Sequence, residues 1–278
     1  MFALGRPRLL EDQELKAEVL SRFQSKKVAS LEQTGISKIG NVSVRDYATA
    51  RTFPLVNGGE SALRVTQGEG NGFTVESVDQ VSGVGRGSAT VLTKDGYLLT
   101  ADHCLGKERP YVFCPTPDGK VEAVEARVVW RRVDKDKEPD FAIIHVPRTL
   151  PFAFPMRQRD PVSREKTISA GFGGFTDSVQ LCGGTAFKTY AKAGTGHIGK
   201  WKRFAHNTPI IPGDSGGPLF DSDGNLIGIN ANGNLKVLRW METNYLLPIY
   251  RWTAQMPEEG WLTSTIEADR KRQSTKRS

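Results

Sequence analysis

From about residue 42 onward the chain is written in short apolar or β-branched runs, with Gly, Asn, Asp and Pro between them. Gly87–Thr93, Tyr97–Ala101, Ala126–Trp130, Phe141–Val146 and Leu226–Ala231 are the clearest of these runs. Runs this short do not build a helix bundle. They do suffice for strands crossing a packed sheet, so the pattern predicts an all-β barrel or sandwich. Lys94-Asp95-Gly96 and Ser222-Asp223-Gly224-Asn225 have the composition of hairpin turns. The stretch 147–161 holds four prolines and few strand signals, and reads as a linker between two β units. A length of 278 residues is also about what two units need.

The flanks read differently. Over residues 9–33, Leu15, Val19, Leu20 and Phe23 recur at helical spacing. Glu14 and Glu18 stand early and Lys26 and Lys27 late, as the helix dipole favours. Residues 1–50 are therefore expected to be a helical extension. At the other end, Arg270, Lys271, Arg272, Lys276 and Arg277 crowd a segment with little apolar content, and residues 256–278 read as a basic, disordered tail. The net charge of +7 is spread widely and is read as a solubility feature rather than a nucleic-acid footprint. No apolar run reaches the roughly 20 residues of a membrane-spanning helix. The start, Met1 to Arg8, has no uninterrupted apolar stretch and is followed by Glu11 and Asp12, so a cytoplasmic or intracellular location is expected. Three cysteines exclude a disulfide scaffold.

Three polar residues stand in contexts that suit nucleophilic catalysis. His103 follows the apolar run Tyr97–Ala101 in Leu99-Thr100-Ala101-Asp102-His103-Cys104. Asp140 opens the run Phe141–Val146 in Pro139-Asp140-Phe141-Ala142. Ser215 sits in the glycine-rich string Pro212-Gly213-Asp214-Ser215-Gly216-Gly217-Pro218. A serine hydroxyl is a poor nucleophile at neutral pH unless an imidazole takes its proton and later returns it. A buried carboxylate orients that imidazole and stabilises its charged form. A glycine before the serine lets two backbone N–H groups, here those of Gly213 and Ser215, converge on a developing oxyanion. Each string alone reads as a structural histidine, a turn aspartate and a Gly-rich turn. The three together, in this order, point to one chemistry.

These three strings resemble the Thr-Ala-x-His-Cys, Asp-x-Ala and Gly-Asp-Ser-Gly-Gly-Pro blocks of the trypsin/chymotrypsin-like serine proteases, over roughly residues 55–255. Gly85-Arg86-Gly87-Ser88-Ala89-Thr90-Val91 has the style of bacterial and viral members, including the HtrA-like branch. About 25 residues follow the matched stretch, too few for a PDZ domain. The resemblance implies two antiparallel six-stranded β-barrels within 51–255, at about 55–150 and 160–250, with the cleft between them. It implies a Ser-His-Asp endopeptidase acting on protein or peptide substrates, with no cofactor and no metal. By position, Pro209 and Ile210 would floor the specificity pocket. Ala231, Asn232 and Gly233 would form the edge that pairs with substrate backbone.

The departures matter. Cys104 follows the histidine as in animal members, but no cysteine lies near Ser88, and Ile211 stands where another is usual. Cys104 is expected to be a reduced structural thiol. Asp102 beside His103 is the rival to Asp140, although sequence neighbours on a strand point apart. Leu55-Val56-Asn57-Gly58-Gly59-Glu60 faintly resembles the cut N-terminus of trypsin-like enzymes, which would pair with Asp214. A turn leading into the first strand is the plainer reading. His145, His197 and His206 are expected to be structural or exposed. Two rival functions remain: a silent protease fold used as a binding module, and a nucleic-acid binder using the basic tail and the Arg and Lys residues near Trp130, Trp201 and Trp240.

Overall fold

The structure, a computed structural model, describes residues 8–9, 30–57, 63–67, 73–77, 85–107, 109–116, 121–134, 138–173, 178–192, 200–239 and 246–276. For the strand residues at 8–9, 63–67, 73–77, 85, 188, 190–192, 232–239 and 246–252 it describes backbone alone.

The chain order begins with β1 (Arg8–Leu9), the hairpin β2 (Lys38–Ile39) and β3 (Val42–Ser43), and helix α1 (Val44–Thr49). Residues 30–34 are helical, while 10–29, most of the expected N-terminal helix, lie outside the described residues. Next come β4 (Thr52–Asn57), a separate hairpin of β5 (Leu63–Gln67) and β6 (Phe73–Ser77), then β7 (Gly85–Val91) and β8 (Tyr97–Thr100). β9 (Pro110–Pro115), β10 (Val121–Glu125), β11 (Arg127–Arg131) and β12 (Ala142–His145) complete the first half. Its sheet runs β10-β9-β4-β7-β8-β12-β11. The two outermost strands are one segment bent at Ala126, so the sheet curls round until its ends meet covalently.

The second half holds β13 (Lys166–Gly171), β14 (Gln180–Lys192), β15 (Trp201–His206), β16 (Pro218–Phe220), β17 (Leu226–Arg239) and β18 (Leu246–Pro257). Its order is β17-β16-β13-β14-β15-β18, and β18 pairs back onto β17, which closes a ring of six strands. β1 adds a seventh by pairing Arg8 with Arg239 and Leu9 with Leu238. The expected double β-barrel is therefore present, with antiparallel pairing in both halves.

Period-two alternation explains why the first-half strands read as continuous apolar runs. Ala142 and Ile144 of β12 enter the core of the first barrel with Phe53, Leu55, Val91 and Leu98. Their neighbours Phe141 and Ile143 face outward, yet join a second buried cluster with Leu99, Val56 and Leu262. Strands buried on both faces carry no polar alternation. The proline-rich segment 147–161 is pinned from both sides. Leu150 belongs to the first core and Phe154 to the second cluster, and Met156 bridges to Leu226.

The C-terminal expectation is corrected. Residues 256–257 end β18, and helix α2 (Glu259–Thr275) follows in place of a disordered tail. Leu262, Ile266 and Asp269 are its buried residues, spaced at one helical face. Trp261 packs edge-on to Trp130 at 5.1 Å and to Phe141 at 6.0 Å. The basic residues that made this stretch read as solvated are partly paired: Arg270 with Asp95 and Arg272 with Asp269. Among the described residues no helix is long and apolar enough to cross a membrane.

Candidate active site

β8 and β12 are antiparallel neighbours with Thr100 opposite Ala142. Residues just after β8 and just before β12 therefore emerge side by side at one rim. A 3-10 turn, Asp102–Cys104, follows β8 and presents His103. The His103 side chain is 43% exposed, whereas Asp140 opposite it is 5% exposed. His103 Nδ1 lies 2.7 Å from Asp140 Oδ2, and the His103 backbone N–H donates to Asp140 Oδ1 at 3.0 Å. The Asp140 N–H in turn donates to Gln255 Oε1 on β18 at 2.8 Å. Burial works to lower the His103 pKa, but the bond to Asp140 and the neighbouring Cys104 outweigh it and raise it above the ordinary imidazole value. Burial likewise works to raise the Asp140 pKa, and the His103 bond with the Arg132 charge brings it below the ordinary carboxylate value.

The rival carboxylate faces elsewhere. Asp102 is 1% exposed and accepts from Arg131 Nε at 3.1 Å and Arg132 Nε at 2.9 Å. Arg131 also caps the carbonyls of Leu105 and Gly106. The arginines beside Trp130 are thus committed to the rim of the first barrel, and Trp130 packs on Phe141 and Trp261. Trp240 and His197 lie outside the described residues. His145 contacts the Asp95 carbonyl at 3.0 Å, and burial pushes the His206 pKa down to about 3, so His206 is a neutral core residue.

Ser215, half-buried, stands in a turn that only glycine permits on either side. Gly213 and Gly216 have φ of 100° and 84°, and a Cβ would meet the Phe172 carbonyl oxygen at 2.4 Å and the Ser88 carbonyl oxygen at 2.0 Å respectively. The first barrel grips this turn from β7. The Ser88 N–H donates to the Ser215 carbonyl at 2.7 Å, and Ser88 Oγ donates to the Gly213 carbonyl at 2.7 Å. Two residues on, Thr90 Oγ1 donates to the Gly216 carbonyl at 2.8 Å. Thr100 Oγ1 holds the Ser88 carbonyl at 2.8 Å. Cys104, the residue after His103, places its Sγ 3.8 Å from the Ser215 carbonyl oxygen. The His103 turn and the Ser215 turn therefore share a wall.

No disulfide contributes to that wall. Cys104, Cys114 and Cys182 are all buried thiols. Gly87 explains the missing partner: a Cβ there would lie 2.5 Å from Cys104 Sγ and 2.9 Å from the Ser215 carbonyl.

The plainer reading of Leu55-Val56-Asn57 as a turn leading into the first strand is corrected, because these residues lie within β4. Leu55, Val56 and Asn57 are interior to the sheet, with β4 paired to β7 through Asn57 and to β9 over Leu55–Asn57. A cut there would sever a fully buried strand. The rest of that motif, 58–60, lies outside the described residues. Asp214, 1% exposed, instead accepts the Ile211 N–H at 2.8 Å within its own turn.

Of the expected pocket residues, Ile210 is buried and Pro209 half-buried, with the Pro209 carbonyl accepting from the Cys182 thiol at 2.6 Å. Ala231 is fully buried. Asn232 and Gly233 pair with Thr253 and Trp252 as backbone, and the Asn232 side chain lies outside the described residues. Among the described residues no cluster of His, Cys, Asp or Glu has the makeup of a metal site. Sequence reasoning missed Ser88, Thr90, Arg132 and Gln255. The signal for the first two was present: polar residues at alternate positions of an otherwise small-residue strand.

A family profile described as trypsin-like peptidase domain matches residues 87–229, half of the chain. Among solved structures, the chain is similar to the Rv3671c protease of M. tuberculosis in its active form, at 16% identity and TM-score 0.53, covering 80% of this chain and 82% of that one. It is also similar to the serine endoprotease from Yersinia pestis, at 20% identity and TM-score 0.51, covering 80% of this chain and 64% of that one. These likenesses concern the fold. No curated protein sequence matches.

Proposed function

Since the chain belongs to the trypsin-like peptidase family, we propose that it is a serine endopeptidase in which Ser215, His103 and Asp140 work as one unit. The observation that carries this reading is the 2.7 Å contact between His103 Nδ1 and a nearly buried Asp140. With Nδ1–H held on the carboxylate, Nε2 keeps its lone pair for a serine proton. Ser215 Oγ attacks the scissile carbonyl carbon and its proton passes to His103 Nε2. The oxyanion is met by the N–H groups of Gly213 and Ser215. The tetrahedral intermediate collapses as His103 returns the proton to the leaving amine, leaving an ester on Ser215. Water, activated by the same imidazole, hydrolyses that ester and restores the hydroxyl.

Substrate preference follows from what lines the pocket in this reading. Pro209 and Ile210 offer no carboxylate, and burying an unpaired Lys or Arg costs several kcal/mol. An apolar side chain gains about 25 cal/mol per Å² buried. Small or medium apolar P1 residues are therefore expected, with the substrate backbone pairing along Ala231–Gly233.

The test is fluorophosphonate labelling together with a peptide-library cleavage profile, for wild type and Ser215→Ala. Expected are labelled, cleaving wild type and an unlabelled, folded variant slower by on the order of 10⁴-fold or more. Equal turnover in the variant, or no labelling of folded wild type, overturns the reading and leaves a protease fold used for binding. Selection for Lys or Arg at P1 overturns the pocket assignment alone.

A further inference from the structure

Four charged side chains meet behind His103. Arg132, 11% exposed, donates from Nε to Asp102 Oδ2 at 2.9 Å and lies with its Nη2 3.0 Å from Asp140 Oδ1. Arg131 donates to the other oxygen of Asp102 at 3.1 Å. Asp102 is 1% exposed and Asp140 5% exposed, so both carboxylates depend on these guanidiniums for their charge balance. We propose that Arg132, with Asp102 as its counter-charge, is a positioning residue that aims Asp140 at the imidazole and sets the basicity of His103. This inference deepens the serine-protease reading and rests on it.

The physical argument has two parts. The planar guanidinium fork spans Asp102 and Asp140, so the Asp140 carboxylate is fixed in rotation with Oδ1 taken by Arg132 and the His103 N–H, and Oδ2 left for Nδ1. Charge is the second part. The guanidiniums of Arg131 and Arg132 offset the charge of the two aspartates, so they hold the imidazole less basic than Asp140 alone would make it. A lone buried carboxylate would stabilise the imidazolium still further and raise the His103 pKa beyond the elevation that Asp140 already gives it. The other groups that act on the pair are the Cys104 thiol and the neutral Gln255 amide; the Glu138 carboxylate, two residues before Asp140, is held by the N–H groups of Val133 and Asp134.

Opposite charge changes then have opposite effects. Arg132→Gln removes a cation, which favours the imidazolium. Its acid limb of kcat/KM is expected to move to higher pH by on the order of one pH unit, with activity lost near neutrality and regained in alkali. Asp102→Asn removes an anion and moves the limb to lower pH. Arg132→Lys keeps the cation and leaves the limb near the wild-type position, although rates fall because an ammonium cannot span both carboxylates. A merely structural role would lower kcat at every pH and move nothing. The same quantity is read without turnover by NMR titration of the His103 imidazole in folded Ser215→Ala protein carrying each substitution. Limbs and NMR titrations that stay put, or that shift in one direction for both Arg132→Gln and Asp102→Asn, overturn the proposal. If one of these variants fails to fold, the direction seen in the other decides. Should wild type show no hydrolysis, the serine-protease reading fails, while the NMR titration still reports whether Arg132 tunes His103.

Discussion

Replacing Asp140 by Asn separates two effects of its carboxylate. The isosteric amide keeps the shape but presents either a donor or a weaker acceptor to Nδ1, so the imidazole adopts the wrong tautomer. In the proposed mechanism this lowers kcat on the order of 10⁴-fold without unfolding the protein. The second effect is on pH. Asp140 raises the His103 pKa above its unfolded value near 6.5. The stabilisation from the pair is therefore complete below that value and disappears as pH rises through the folded pKa. Activity needs the neutral imidazole, so kcat/KM climbs over the same range. In Asp140→Asn the elevation is removed and the residual activity should begin to rise at lower pH. A pH–rate profile of both proteins checks this; an unmoved limb, or full activity with loss in Asp102→Asn, assigns the triad carboxylate elsewhere. Asp140 was legible at this scale because it opens an apolar strand. The arginines were not, since Trp130-Arg131-Arg132 carries no mark of the carboxylates that it reaches.

At the scale of elements, α2 shows how a charge run conceals a helix. Five basic residues within 270–277 dominate the composition, while the residues that dock the helix, Trp261, Leu262, Ile266 and Asp269, lie mostly upstream. The docking is partly ionic. Arg127 reaches both oxygens of Asp269, at 3.0 and 2.5 Å, and the Tyr97 hydroxyl donates to it at 3.0 Å. Burial works to raise the Asp269 pKa, but the Arg127 and Tyr97 bonds prevail and hold it at about 2. A depressed carboxylate stabilises the fold above its unfolded pKa, near 3.8, and that contribution is lost as pH falls toward about 2. Arg127 is 38% exposed, so solvent screening leaves the pair worth nearer ~1–2 kcal/mol than a fully buried one. Asp269→Asn should lower the melting temperature at pH 7 and flatten the acid fall of stability between pH 4 and 2. Leu262→Ala should cost about 2–4 kcal/mol by the cavity that it leaves. Thermal melts across pH read both; an Asp269→Asn curve parallel to wild type would remove the ionic role from the helix.

Over the whole molecule, the two barrels meet through hydroxyls as well as apolar packing. Ser88 and Thr90 sit two apart on β7, and their side chains hold the carbonyls of Gly213 and Gly216, which flank Ser215. Both hydroxyls are fully buried. Ser88→Ala would leave the Gly213 carbonyl without this donor, a loss of about 1–3 kcal/mol. In the proposed mechanism it would also loosen the Gly213–Asp214 peptide, which lies between the two oxyanion donors. A misplacement of that kind costs up to about 100-fold in kcat, with KM little changed. Ser88→Thr should recover much of the rate. Steady-state kinetics beside a melting curve distinguish the outcomes: a stability loss with unaltered kcat would make Ser88 a barrel-docking residue alone.

What the sequence determined by itself was whatever depends on neighbours along the chain. The strand–turn rhythm sets the β class. The hairpins at Asp95-Gly96 and Asp223-Gly224 join β7 to β8 and β16 to β17. The three catalytic-type strings stand at strand ends and in a glycine turn because those are the places where a polar side chain can reach a cleft. Only tertiary structure decided what depends on partners far apart. Asp102 and Asp140 carry the same functional group and both lie within reach of His103 along the chain or across the sheet. The pairing of β8 with β12 sets Asp140 against the imidazole, and the guanidiniums of Arg131 and Arg132 take Asp102. Leu55-Val56-Asn57 looks like a terminus until β7 and β9 are laid on either side of it. Local propensity cannot encode such choices, because the energy of each comes from contacts formed only when the barrels close.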